Sequence, residues 1–114
     1  MQITYYGPLT PDVFYYLRGA VKEVAKDAAA LVIRMDYALS LIDTTPTLLP
    51  TRVRSPPAAC IVRREDYAMW VEFGRKIAAT GVKRAVFCQS QAALAYLWAE
   101  DHAGLVPEQS LLSR

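Results

Sequence analysis

An apolar run from Leu31 onward reaches Asp43-Thr44-Thr45 at the point where a strand would give way to a helix. An acid followed by two hydroxyls at such a corner can do two kinds of chemistry. Asp43 or Thr44 can cap the helix by accepting hydrogen bonds from its free N–H groups. Alternatively, Thr44 or Thr45 can carry a phosphoryl group, whose negative charge is favoured at the positive end of a helix dipole. Pro46 sits in what would be the first helical turn and is accounted for by capping alone. Both readings stay open on these residues.

A second group is made of cations. Arg52 and Arg54 lie in the segment Thr45 to Pro57, which holds four of the seven prolines, and Arg63 and Arg64 close the apolar run that follows. If the segment and the run end at one edge of a sheet, four guanidinium groups converge, and paired donors of this kind bind phosphate or carboxylate. Glu65 and Asp66 adjoin the group, so the competing reading is a mixed, solvated surface. The segment from 50 to 64 is thus the place where a small anion or a lipid-like molecule would be held, if the domain binds a ligand.

Other reactive side chains do not assemble into a catalytic set. The single histidine, His102, falls at the end of the last helical pattern, where a cation favours the dipole. Cys60 and Cys88 lie inside apolar runs without the paired spacing of metal or redox sites. The expectation is a non-enzymatic domain without cofactor or metal.

The elements that position these groups follow from periodicity. Gln2 to Tyr6 is β-prone and stops at Gly7-Pro8. Thr10, Pro11 and Asp12 supply an N-cap, a first-turn proline and an early acid for a helix over about 11 to 27. Its apolar stripe is Val13, Phe14, Leu17, Ala20, Val21 and Val24, with Arg18, Lys22, Glu23 and Lys26 opposite. Ala28 to Met35 reads as a strand covered on both faces, interrupted only by Arg34. Ala58 to Arg63 is another strand, and Asp66 to Thr80 is a helix with Tyr67, Trp70, Val71, Ile77 and Ala78 inward and Gly81 past its end. Lys83 to Gln89 reads as the last strand. Ser90 would cap a final helix that buries Ala93, Leu94, Leu97 and Trp98 and stops at Gly104. Strands alternating with helices predict an α/β domain with a mostly parallel sheet of about four strands.

At 114 residues the chain has the size of one domain, here 1–104, with 105–114 as a tail. With 54% hydrophobic and 21% charged residues it should bury an ordinary core. A formal charge of +2 supplies no broad field for nucleic acid. No window reaches the ~18 consecutive apolar residues of a membrane span, and the expected location is the cytoplasm. Tyr15 and Tyr16 cannot both point inward beside Phe14 and Leu17, so some aromatic surface is expected at an interface, either with a protein partner or in a homodimer.

The chain also resembles the STAS domain, the family of sulfate-transporter C-terminal domains and bacterial anti-sigma-factor antagonists, and its SpoIIAA-like relatives. YGPLTPD at Tyr6 to Asp12 is similar to the family's strand, Gly, Leu, Thr and helix opening. LVIRMDYALSLIDTTPTLL lies without a gap over its strand, turn and Asp-Ser-Ser-Gly corner, and IAATGVKRAVFCQSQAALAYL over its helix end, Gly, short strand and final helix. Together these cover most of residues 3 to 100. The resemblance implies a SpoIIAA-like fold and a regulatory, protein-interaction role, with a kinase-like enzyme or a regulator as partner. It implies Thr45 as the phosphorylated position, Thr44 as the neighbouring hydroxyl and Asp43 as the preceding acid. Pro46 stands where the family has Gly, and Pro50 and Pro56-Pro57 interrupt the helix that follows the corner. The resemblance is therefore to a diverged member with a degenerate switch, docking through the surface from Asp43 to Pro57.

Overall fold

The computed structural model describes residues 1–25, 27–40, 56–79 and 81–103. Asp43, Thr44, Thr45, Arg52 and Arg54 lie outside the described residues, as does the tail from 105 to 114.

The predicted α/β architecture is present. Strands β1 (Gln2–Thr4), β3 (Leu31–Arg34), β5 (Ala58–Val62) and β6 (Arg84–Cys88) form a sheet in the order β1-β3-β5-β6, every neighbouring pair parallel. Helix α1 (Pro11–Ala25) joins β1 to β3, α2 (Tyr67–Ala78) joins β5 to β6, and α3 (Ala92–His102) follows β6. Two strands escaped the sequence reading: β2 (Gly7–Leu9) and β4 (Ala38–Ser40) pair in parallel as a separate ribbon. Each has only three residues, too few to display an alternating pattern. Gly7 at φ +111° sets up β2, a conformation open to glycine at little steric cost.

Alternation along the strands divides the core into layers. Leu31, Ala58 and Val62 face α1 and α2, whereas Val32, Ala59 and Ile61 face α3. On the first face, Phe14 of α1 meets Trp70 and Phe73 of α2 at ring-centroid distances of 5.3 Å each, with Leu9 and Ala38 of the ribbon closing the cluster. Gly74 lets α2 approach the sheet: a Cβ there would stand 3.1 Å from Val86 Cγ2. On the second face the small side chains of Ala95 and Ala99 bring α3 close to β3 and β5.

Helix starts and faces refine the sequence reading. The Thr10 cap is in place: its Oγ1 accepts a hydrogen bond from the Val13 N–H at 3.3 Å. In α1 the buried residues are Phe14 and Ala25, while Val24 is 66% exposed, and Arg18 and Lys22 are half-buried on the inner side instead of opposite. In α2 the inward residues are Trp70, Phe73 and Gly74, and Val71 and Ala78 turn outward. Ser90 does not cap α3. It lies within a 3-10 turn, Gln89–Gln91, and the N-cap is Gln91. The buried face of α3 is Ala95 and Ala99, flanked by Tyr96 and Trp98, so Leu94 and Leu97 are left outside. A helix apolar all round from Ala92 to Ala99 offers two candidate faces, and here close approach to the sheet selected the smaller side chains.

Candidate functional site at the carboxyl edge of the sheet

In a parallel sheet all strands end at one edge, and loops there carry side chains free of packing duty. Four chain segments meet at this edge: Tyr5 and Tyr6 after β1, Met35 to Tyr37 after β3, Arg63 to Asp66 after β5, and Gln89 after β6. Two backbone bonds carry the ladder past the strand ends and fix these segments, Tyr5 N–H to Arg34 C=O at 3.0 Å and Met35 N–H to Ile61 C=O at 2.8 Å.

The centre of the edge is an ion pair. Arg34 donates from Nε to Asp36 Oδ1 at 3.1 Å and from Nη2 to Asp36 Oδ2 at 2.7 Å. The Asp36 side chain is fully enclosed and that of Arg34 is 19% exposed. Burial pushes the Asp36 carboxyl up, but hydrogen bonds from Arg34, its own backbone N–H and Gln89, with the Arg34 charge, outweigh that and hold it below the ordinary value. The bond to Asp36 raises Arg34 against its own desolvation, with Tyr96 contributing in the same direction. Tyr96 in turn donates to Gln2 Oε1 at 2.9 Å, so the pair joins β3, β1 and α3. No motif announces this network. The one signal in the sequence is Arg34 itself, a lone charge in an apolar strand, which requires a partner wherever the strand is covered.

Above the pair lies an aromatic step. The Arg34 guanidinium sits 5.4 Å from the Tyr37 ring centroid, and Tyr37 stacks on Tyr6 at 5.3 Å with the planes 18° apart. Tyr6 is 69% exposed and Tyr37 51%, so two large rings are held in register and presented to solvent. The sequence reading expected that Tyr15 and Tyr16 could not both point inward. Tyr16 is indeed exposed, but the organised pair is elsewhere.

Of the arginines singled out from sequence, the described ones are Arg63 and Arg64. Arg63 donates from Nε to Asp66 Oδ2 at 3.0 Å and lies 3.9 Å from Glu65, and this pairing raises its pKa. It is engaged with its own turn, whereas Arg64 is exposed. No family model, no curated protein and no solved structure matches this chain. The reading of the site therefore rests on its geometry.

That geometry supplies recognition groups. Cys88, at the end of β6, takes part in the 3-10 turn, where its N–H donates to Gln91 Oε1 at 3.2 Å. His102 lies at the end of α3, its Nδ1 2.9 Å from the Trp98 carbonyl and its ring stacked on Trp98 at 3.8 Å. Among the described residues no three His, Cys, Asp or Glu side chains are grouped to hold a metal ion, and no helix is long and apolar enough to cross a membrane.

Proposed function

We propose that this chain is a non-enzymatic interaction module, a diverged SpoIIAA-like domain of the cytoplasm that docks a protein partner at the carboxyl edge of its sheet. The observation that carries the reading is the Tyr6–Tyr37 stack. Rings of this size are enriched at the centres of protein interfaces, and these two are already ordered by each other and by Arg34, so docking costs little side-chain entropy. The parallel sheet with helices on both faces is consistent with the same family reading.

Residue Tyr37 leads directly into β4, and Asp43, Thr44 and Thr45 follow that strand closely in sequence. Phosphate on Thr45, or on Thr44, would add a charge of about −1.5 to −2 to the segment that follows β4 in sequence and so alter partner choice. The partner in this reading is a kinase-like enzyme or a regulator.

The test is affinity capture from a lysate of the native cells with four baits: wild type, Tyr6→Ser, Tyr37→Ser and Thr45→Glu. A protein retained by the wild type and lost from both tyrosine variants, each still folded by circular dichroism, is the expected result. Indistinguishable captures from wild type and both tyrosine variants would remove the reading. A partner that also changes between wild type and Thr45→Glu establishes the switch.

A further inference from the structure

The two borders of the main sheet are not alike. β1 contributes three residues, of which Gln2 and Thr4 are polar, whereas β6 is five residues long and apolar after Arg84. A long apolar border is ordinarily blunted by a proline, a bulge or a charge leaning across the free side. β6 has no proline, and its register with β5 runs unbroken from Arg84 to Cys88. Its one charge is turned the other way: Arg84 donates from Nη1 to the carbonyl of Pro56, at the entry to β5, at 3.1 Å. Each residue of β6 is half-buried, in contrast to the β5 strand beside it.

The phase of the hydrogen bonds fixes which backbone groups face outward. A residue in a strand turns its N–H and C=O to the same side. Ala58 N–H donates to the Lys83 carbonyl at 3.1 Å, so Lys83, Ala85 and Phe87 turn toward β5, and Arg84, Val86 and Cys88 turn away from the sheet. The Cys88 N–H agrees with that direction, being given to Gln91 Oε1 at 3.2 Å. Among the described residues no strand lies beyond β6 to pair with the others.

Apolar side chains flank this border on both faces. In α2, Phe73 packs toward α1 through Phe14, and Gly74 lies over Val86. Val71 and Ala78, three positions before and four after Gly74, therefore fall on the flank beyond β6, and both are exposed. On the other face Tyr96 of α3 reaches Gln2 of β1, which puts Trp98 and, one turn earlier, the exposed Leu94 on the flank toward β6.

We propose that two copies of this chain pair through β6, antiparallel about a two-fold axis at Val86, and continue one sheet across the dimer. In that register Val86 exchanges both backbone bonds with Val86 of the second copy, and the Arg84 N–H donates to the Cys88 carbonyl of the second copy. The same symmetry keeps like charges apart, because Lys83 and Arg84 at one end of the strand meet Gln89 and Cys88 at the other end of its mate. Val71, Ala78 and Leu94 of each copy supply apolar area that strand pairing alone lacks. The contact occupies the β6 border of both copies, so assembly stops at two. The tyrosine step follows β1 and β3, toward the opposite border, and stays open in the dimer.

The experiment is sedimentation equilibrium of the full chain over about two decades of concentration, with amide hydrogen exchange recorded at both ends of the range. A reversible monomer–dimer equilibrium is expected, with the Arg84 and Val86 amides exchanging more slowly at high concentration. Val86→Pro removes an outward-facing N–H, a change that an edge strand tolerates, and should weaken dimerisation by at least about tenfold. Leu94→Glu should weaken it to a similar extent while leaving the melting temperature of the dilute protein unchanged. If Val86→Pro does not fold, Leu94→Glu and the exchange of the wild-type amides decide. A monomer at every concentration, a dimer that both variants leave intact, or assembly beyond two copies overturns the proposal.

Discussion

Removing Arg34 and removing Asp36 delete the same ion pair, yet the structure predicts unequal costs. Arg34→Met leaves a carboxylate in an enclosed position with only its own N–H and Gln89 as donors. Stranding a buried charge of this kind costs about 3 kcal/mol. Asp36→Asn leaves a guanidinium that is 19% exposed and still rests on Tyr37, so it turns to water at a cost of about 1 kcal/mol. Urea unfolding at pH 7 measures both. With a slope of about 2 kcal/mol per molar for a domain of this size, the midpoints should fall by about 1.5 M and about 0.5 M. The deficits should also differ in pH dependence. In the wild type the Asp36 carboxyl titrates below its unfolded value of 3.8, so its contribution is fully present above that value and is lost as the pH falls through the lower, folded one. In Arg34→Met, burial acts unopposed by the guanidinium and raises the carboxyl, so lowering the pH neutralises the stranded charge and narrows the gap to wild type. Equal midpoints for the two variants, or a pH-independent Arg34→Met deficit, would refute the reasoning.

Glycines offer a second comparison: Gly19 is exposed with nothing within 4 Å of an added Cβ, so Gly19→Ala should gain about 0.5–1 kcal/mol. Gly74→Ala should show no such gain in the same thermal melts, since its Cβ meets the β-branched Val86. On α3, Ala95→Leu should cost about 1–3 kcal/mol by overpacking against the sheet, whereas Leu97→Gln should stay within about 0.5 kcal/mol. Reversal of that order in chemical denaturation would show that the face of α3 is misassigned.

The main sheet was legible because each of its strands precedes or follows a strong helical pattern, and runs such as Ala58 to Val62 have no polar residue to suggest another placement. The ribbon was not, because Gly7-Pro8-Leu9 reads as a break and its pairing with Ala38–Ser40 is a tertiary fact. Arg18 illustrates a subtler loss. Hydropathy assigns an arginine to the solvated side of a helix, and only the packing of its guanidinium over Phe14, with Nη1 enclosed, shows that the side is covered. The tyrosine step belongs to the same class: Tyr6 and Tyr37 are 31 positions apart by their numbers, and their stacking continues the register of β2 with β4, which sets Gly7 against Ala38.

Strand order has a consequence for how the chain reaches this state. Each strand of the main sheet pairs with the one that precedes it there in sequence, β3 with β1, β5 with β3 and β6 with β5. No strand has to slip between two that have already met. During synthesis the sheet can grow at a single advancing border, each emerging segment finding its template already exposed, and the chain escapes the wait for a distant C-terminal strand that other parallel topologies impose.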